Sequence, residues 1–540
     1  MLNSQEKKGT MHWAWLVTII IVGAAGVWFR AWQLPIQLLA DDEWHALNKL
    51  IKSDAWGIFT SFGRADHSIP VTLYYYAISQ ITPLTENIMR FPMLLAGLAL
   101  PVTAPWLMRR ILSRPEQAVL FILLTLSPIL IYYTRTARPY ALSTLLAFAA
   151  VICFYVWVQK PKLIYALSYL TLCSLCAWMQ PVTLALLLSP FVFYGLKSIH
   201  RWAKHHDKRL FIRLLGLGLA QLSTLTVLLG PPVYYSINDI AGKTGVDSPT
   251  VHSVIETLKL LTGSKYALYM GIFIGFSGWG VLILSKRQRE LTLYLVICSA
   301  LSLGAILCSG AAWIQHPLVT ARYCLPMLPI MAIFASVGLS NTLRFSLKHS
   351  PMKTPLIIAI PVLVYLSGPL AQTYSGPINQ FTGHMGYQFD YNWKNNTYNK
   401  VLDNRPISSF YYQLGQEPEK SLQLVIAPWF LEWHYNRWYI DQAVHNQLVA
   451  AGFVEGFCGK LFYGEYSKNT PQVKLTNAVH VTALAEKSRG YDYFIYHKSA
   501  SRIDQNVSKH QDCEAKVLES FGKPTYEDDQ ILAYKLDEAK

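Results

Sequence analysis

The sequence predicts an α-helical polytopic membrane protein with about eleven transmembrane helices and a C-terminal external α/β domain. Three observations carry this reading. Of 540 residues, 52% are hydrophobic and only 15% charged, against roughly 25% charged in ordinary soluble domains. Apolar runs long enough to cross a hydrocarbon core of ~30 Å recur through the first two thirds of the chain. After Thr373 the composition changes, and no further run of that length follows. The net charge of +15 sits in short Lys/Arg clusters between apolar segments, as orientation signals do. No aromatic-studded basic face appears, which argues against a nucleic-acid partner.

At the N-terminus, Lys7 and Lys8 precede an apolar run from Met11 to about Phe29 with no small-residue cleavage site. It is too long for the apolar core of a signal peptide, so it reads as an uncleaved anchor. The spanning runs fall near 12–33, 88–108, 117–134, 139–158, 163–180, 182–197, 210–232, 266–284, 291–310, 324–342 and 355–373. A twelfth stretch, 68–83, is shorter and rich in Tyr, which suits an interfacial helix. With Lys7 and Lys8 in the cytoplasm and 68–83 not spanning, the connections rich in Lys and Arg all become cytoplasmic. These are Arg109-Arg110-Arg114, Lys160/Lys162, "KSIHRWAKHHDKR", "SKRQR" and "RFSLKHSPMK". The first loop, "TRTARP", residues 233–265 and "WIQHPLVTAR" then lie outside, as does the C-terminus.

Residues 1–373 thus form a transmembrane domain with a first external loop at 34–87, and 374–540 a soluble external domain. In the latter, "LQLVIAPW" (422–429), "HVTAL" (480–484), "DYFIYH" (492–497) and "QILAYKL" (530–536) read as strands by β-branched and aromatic content. "FLEWHYNRWY" (430–439) and "QDCEAKVLESF" (511–521) read as helices by spacing. Cys173 and Cys176 form a CxxC inside an apolar run, where packing is the simpler role. Cys458 and Cys513 are the two cysteines of the external domain, and spacing leaves their pairing open. Two glycosylation-type triplets begin at Asn395 and Asn506; such triplets are common by chance.

The chemistry concentrates in "LADDEWHALNKL", where Asp41, Asp42 and Glu43 follow the first span. A charged residue at a span centre costs roughly 2.5–3.5 kcal/mol, so these carboxylates belong in an aqueous loop. Trp44, Leu47, Leu50 and Ile51 recur at helical spacing, which predicts an amphipathic helix lying on the membrane surface. Arg135 and Arg138 in "YYTRTARPYAL" and Arg322 in "TARYCLP" place cations at external span ends. The planar donors of Arg match phosphate. Acids and arginines on one face therefore suit a reaction on a phosphate-bearing lipid.

A series of stretches in order resembles one family. "DDEWHAL", with Asp42-Glu43 the best-matched pair, is similar to the Asp-Glu motif of the GT-C superfamily of polyprenyl-phosphate-sugar-dependent glycosyltransferases. Its bacterial branch includes protein O-mannosyltransferases and lipid A aminoarabinose transferases. "HSIPVTLYYYAI", "NIMRFPMLLAGLALPVTAPWLMRRIL", "LSPILIYYTRTARPYALSTLLAF", "RYCLPMLP" and "DYNWKNNTYNKVL" resemble further family segments in turn. Ser68-Ile69-Pro70 departs from the family's double proline, and Asp41 adds a carboxylate that leaves the base open between Asp41 and Asp42. The resemblance implies inverting transfer of a sugar from a polyprenyl-phosphate donor to a lipid, glycan or protein acceptor. It assigns Asp42 as base with Glu43 orienting it or the acceptor. Asp41, His67, Arg138, Tyr140, Arg322 and Tyr323 fall to substrate binding, with the arginines on phosphate. No ligand spacing demands a metal, although the family leaves room for a divalent ion. Its bacterial-type motifs imply a cell inner membrane and a periplasmic C-terminal domain.

Two other classes compete. A transporter would carry ionisable or helix-breaking residues at midspan, often in related halves; here charges keep to span ends and no half-repeat is visible. A non-catalytic scaffold would need only the external domain and leaves the motif series unexplained.

Overall fold

A computed structural model describes residues 2–536 apart from 33, 38, 40, 41, 64–66, 246–247, 265, 313, 347–352, 367–369, 371–405, 419, 429–437, 455–456, 459–472, 474, 476–477, 486–489 and 499–512. The chain is an α-helical polytopic protein with a C-terminal α/β domain, and it divides into two compact units. The first comprises Met1–Trp32, Ala55–Leu73 and Arg90–Ala371; the second comprises Gln33–Asp54, Tyr74–Met89 and Gln372–Lys540. Two segments of the first loop thus group with the C-terminal residues, where the sequence reading drew one boundary after residue 373.

Among the described residues, each of the eleven apolar runs is largely helical. These are α1 (Leu2–Ala31), α5 (Glu86–Leu107), the pair α6 (Arg114–Leu126) and α7 (Pro128–Thr134), α8 (Tyr140–Gln159), α9 (Leu163–Met179), α10 (Leu184–His205), α11 (Arg209–Ala241), α13 (Ala267–Arg287), α14 (Arg289–Cys308), α16 (Leu328–Ser346) and α17 (Lys353–Leu366). Among the described residues, seven helical stretches are long and apolar enough to cross a membrane, or eight with α6–α7 taken as one span bent by 55°. The 68–83 stretch becomes α4 (Ile69–Ser79), about 16 Å long and too short to span. Residues 233–265, read as a loop, contain the helix α12 (Val251–Thr262). Thr250 caps it by accepting from the Ser253 N–H, and Thr257 donates to the Pro317 carbonyl at the start of α15 (Pro317–Cys324).

Two devices hold this bundle together. Where α13 meets α16, Gly280 and Gly338 let the backbones touch, and a Cβ at either would run into the carbonyl of Phe334 or Phe276. Close approach through small residues is how helices gain contact where lipid supplies no hydrophobic drive. At the helix ends, the fully buried Glu116 of α6 accepts from Arg287 of α13 at 2.8 Å and from Asn341 of α16 at 2.7 Å. A buried carboxylate is tolerable because it is paired and hydrogen-bonded.

In the second unit, the described residues form a six-stranded sheet of order β3-β2-β1-β4-β6-β5. Its strands are β1 (Gln423–Ala427), β2 (Leu448–Phe453), β3 (Ala478–His480), β4 (Tyr493–His497), β5 (Tyr526–Glu527) and β6 (Ile531–Lys535). The first four run parallel, and β6 and β5 close the sheet antiparallel. Three strand readings hold. "HVTAL" is a correction: only His480 is strand, and Val481–Ala485 is a helix whose Val481 and Leu484 enter the core. The "FLEWHYNRWY" helix lies largely outside the described residues, which pick up a helix at Trp438–His445.

Side chains alternate across the sheet. Val425, Ala427, Phe494 and Tyr496 pack with Val481, Leu484 and Val517, where Cys458 and Cys513 are joined by a disulfide. On the opposite face, the Tyr411 ring stacks between His445 and His497, 5.3 and 6.0 Å away. The Tyr411 hydroxyl meets His497 Nε2 at 2.8 Å, and the Gln447 N–H donates to His445 Nδ1 at 3.0 Å.

Burial pushes His445 down to about 3, below the ordinary value near 6.5. The unfolded chain therefore binds a proton that the folded domain refuses between those values, and stability falls as pH drops through that window. The loss approaches about 1.4 kcal/mol per pH unit. His445→Asn, which keeps an acceptor for Gln447, is expected to flatten this dependence in thermal unfolding followed from pH 7 to 4. In the bundle, Gly280→Leu is expected to cost about 3 kcal/mol or more by overpacking, read as a lower unfolding temperature in detergent.

Candidate functional site

The carboxylates open a short helix in the second unit. Asp42 precedes α2 (Glu43–Lys52), and its Oδ1 lies 3.3 Å from His45 Nε2, three residues on. Asp42 is partly open, whereas Glu43 is buried at 1% exposure. Both sit at the N-terminal end of α2, where the helix dipole presents its positive end. Asp41 lies outside the described residues. His45 escaped the sequence reading, although an i, i+3 spacing from Asp42 on a helix was its signal.

The amphipathic face of α2 was expected on the membrane surface, and here the structure corrects the sequence. Trp44, Leu47 and Leu50 are all buried within the protein. The Trp44 indole donates to the Leu39 carbonyl at 3.0 Å and meets Phe453 of β2 edge to face, with centroids 5.3 Å apart. An apolar stripe signals only that something must cover it, and here protein does.

The arginines lie in the first unit, and they divide. Arg135 is fully buried, and its Nη1 donates to the carbonyls of Phe29, Arg30 and Trp32 at 3.2, 3.0 and 2.8 Å. That guanidinium closes the C-terminal end of α1, which removes it from the set of external cations. Arg30 makes the complementary contact: it donates to Thr125 and Leu124 carbonyls beside the α6–α7 break.

Arg138 and Arg322 behave differently. Arg138, in the turn before α8, lies 5.7 Å from the Tyr140 ring centroid and donates to its hydroxyl at 3.4 Å. Arg322, on α15, lies 5.6 Å from the same ring and 5.5 Å from that of Tyr323. Tyr140 is itself held by Tyr133, 4.7 Å away, whose hydroxyl reaches the Leu318 carbonyl of α15 at 3.5 Å. Four of the expected binding residues are thereby brought together. The ring's negative face attracts both cations, and two guanidiniums gathered on one ring suit a doubly contacted anion such as a phosphate. His67 is buried just before α4, in the same unit. Among the described residues no group of three or more His, Cys, Asp or Glu side chains gathers as metal ligands would.

No family model matches the sequence, and no curated protein matches it. Among solved structures, the chain is similar to ArnT from Cupriavidus metallidurans bound to undecaprenyl phosphate, at 12% identity and a TM-score of 0.46, over 96% of this chain and 97% of that one. It is also similar to the archaeal oligosaccharyltransferase AglB from Archaeoglobus fulgidus, in complex with an inhibitory peptide and a dolichol-phosphate. There the identity is 11%, the TM-score 0.41, and the cover 90% of this chain and 69% of that chain. A third is the arabinosyltransferase EmbB from Mycobacterium smegmatis, at 12% identity and 0.37, over 69% and 39% of the two chains.

The division between the arginines is testable. Arg135→Ala strips three carbonyls of their donor and is expected to cost about 3 kcal/mol or more, lowering the unfolding temperature and the yield of folded protein. Arg138→Ala is expected to leave both within error of the parent.

Proposed function

We propose that the chain is a membrane glycosyltransferase of GT-C type. It takes a sugar from a polyprenyl-phosphate donor and passes it to an acceptor hydroxyl or amine at the external face of the membrane. The observation that carries this reading is the pair Arg138 and Arg322 gathered on the Tyr140 ring. They receive the lipid phosphate, and Tyr323 and Tyr140 hold the two guanidiniums in place.

The reaction is a single displacement with inversion. The acceptor oxygen or nitrogen attacks the anomeric carbon, and the bond from that carbon to the phosphate oxygen breaks. A phosphate diester departs without needing a strong acid, so the protein has to remove the acceptor's proton and stabilise charge on phosphate. Asp42 takes the proton. Its closeness to His45 gives the carboxylate a partner that can accept or share that proton. Glu43, buried in the first turn of α2, orients Asp42 or the acceptor, with Asp41 as the neighbouring carboxylate. His67 serves the donor sugar or a divalent ion.

Orientation follows the charge pattern of the connections. The N-terminus is cytoplasmic, the C-terminal domain lies on the periplasmic side of an inner membrane, and eleven helices span it. The Cys458–Cys513 disulfide supports that assignment, since such bonds persist in oxidising compartments.

Membranes carrying the protein, supplied with radiolabelled polyprenyl-phosphate sugars, test the reading. Label is expected to reach an endogenous acceptor, and Asp42→Asn at equal expression is expected to lower the rate about 10²–10⁴-fold. Arg138→Ala and Arg322→Ala are each expected to raise the donor KM about tenfold or more. Normal transfer by Asp42→Asn would move the base to Asp41. No transfer from any donor by the parent would sink the transferase reading.

A further inference from the structure

We propose that Phe453 is a positioning residue for the Asp42–Glu43 carboxylates, acting through Trp44, so that the C-terminal α/β domain takes part in the transfer step itself. This rests on the transferase reading given above.

Asp42 makes no side-chain cap to the helix it precedes. Its carboxylate is engaged instead with His45. Two residues on from Asp42, Trp44, at 3% exposure, is pinned at one edge by the Leu39 carbonyl and packed by its ring against Phe453. Phe453 is in turn held by the sheet. It is the last residue of β2, 2% exposed, in parallel register with His480 of β3, whose ring lies 6.1 Å away. The sheet beside it is closely packed: a Cβ on Gly452 would meet the Ala427 side chain of β1 at 2.8 Å.

Position therefore passes from the sheet to Phe453, from Phe453 to the indole, and from the indole over one or two residues to Glu43 and Asp42. A second strap lies on the other side of the first loop, where Leu84 bridges to Val473 in parallel fashion. The C-terminal ends of parallel strands are where α/β domains take their ligands. Phe453 closes β2 at that end of the sheet, and its contact with Trp44 ties the Asp42–Glu43 segment to it. A general base has to sit within hydrogen-bond reach of the proton it removes, and a 1 Å displacement can cost about 10²-fold in rate.

The test compares Phe453→Ala with Phe453→Leu in the full-length protein. It uses the radiolabelled donor assay normalised to folded protein, together with hydrogen exchange at the amides of α2. The expected result for Phe453→Ala is a fall in kcat of about 10–100-fold with donor KM changed less than twofold, and faster exchange across α2. Phe453→Leu, which keeps an apolar contact for the indole, is expected to restore kcat to within about threefold. Unchanged kcat per folded molecule in Phe453→Ala would overturn the proposal. So would an equal loss in both variants with α2 exchange unmoved. If the parent transfers no sugar, it is the transferase reading that fails. The exchange experiment then still decides the mechanical link, since unmoved α2 protection in Phe453→Ala removes it.

Discussion

Within an apolar bundle, a helix that ends or breaks leaves carbonyls that water does not reach. The rest of the first unit depends on how two of those places are closed. Arg30 leaves α1 to satisfy Leu124 and Thr125 beside the α6–α7 break, and Arg135 leaves the end of α7 to satisfy Phe29, Arg30 and Trp32. The two contacts are complementary: Arg135 serves α1, which carries Arg30, and Arg30 serves α6 just before the break that leads into α7. Together they lock the turn that follows α7, and that turn delivers Arg138 and Tyr140. An isolated guanidinium in such surroundings would be ruinous; one hydrogen-bonded to several carbonyl oxygens is a structural member.

The same residue type then does opposite work a single turn away. Arg135 is spent on backbone, whereas Arg138 and Arg322 share an aromatic ring. A tyrosine face tolerates two cations because attraction to its quadrupole offsets part of their mutual repulsion. Under the function proposed above, the lipid phosphate relieves what remains of that repulsion. The chemistry of α2 complements this: an ionisable pair at a helix start, one carboxylate sealed and one open beside an imidazole.

How far these features can be read in the sequence varies with the origin of each signal. Lipid demands uniform apolarity over a fixed length, so the bundle helices stand out plainly and α4 is recognisably too short. The sheet's central strands β1 and β4 carry β-branched and aromatic residues and read well. β2 does not, because "LVAAGF" takes its strand character from burial between two neighbours, and its Ala and Gly residues carry no strand propensity. "HVTAL" fails the other way: Val and Thr suggest a strand, but tertiary packing winds them into a helix. The cluster on Tyr140 joins residues 138 and 322, a contact without local signature, so only the order of motifs hinted at it. Nothing in the pattern could separate Arg135 from Arg138.

The pairing of Trp44 with Phe453 also bears on how the chain matures. The two are roughly 400 residues apart, which at ordinary synthesis rates means about 20–80 s between their appearances. Throughout that interval the Trp44 ring lacks Phe453, its edge-to-face partner in the folded protein. The first-loop segments of the second unit are thus made long before β2, and a chain truncated ahead of that strand lacks the ring that seats Trp44.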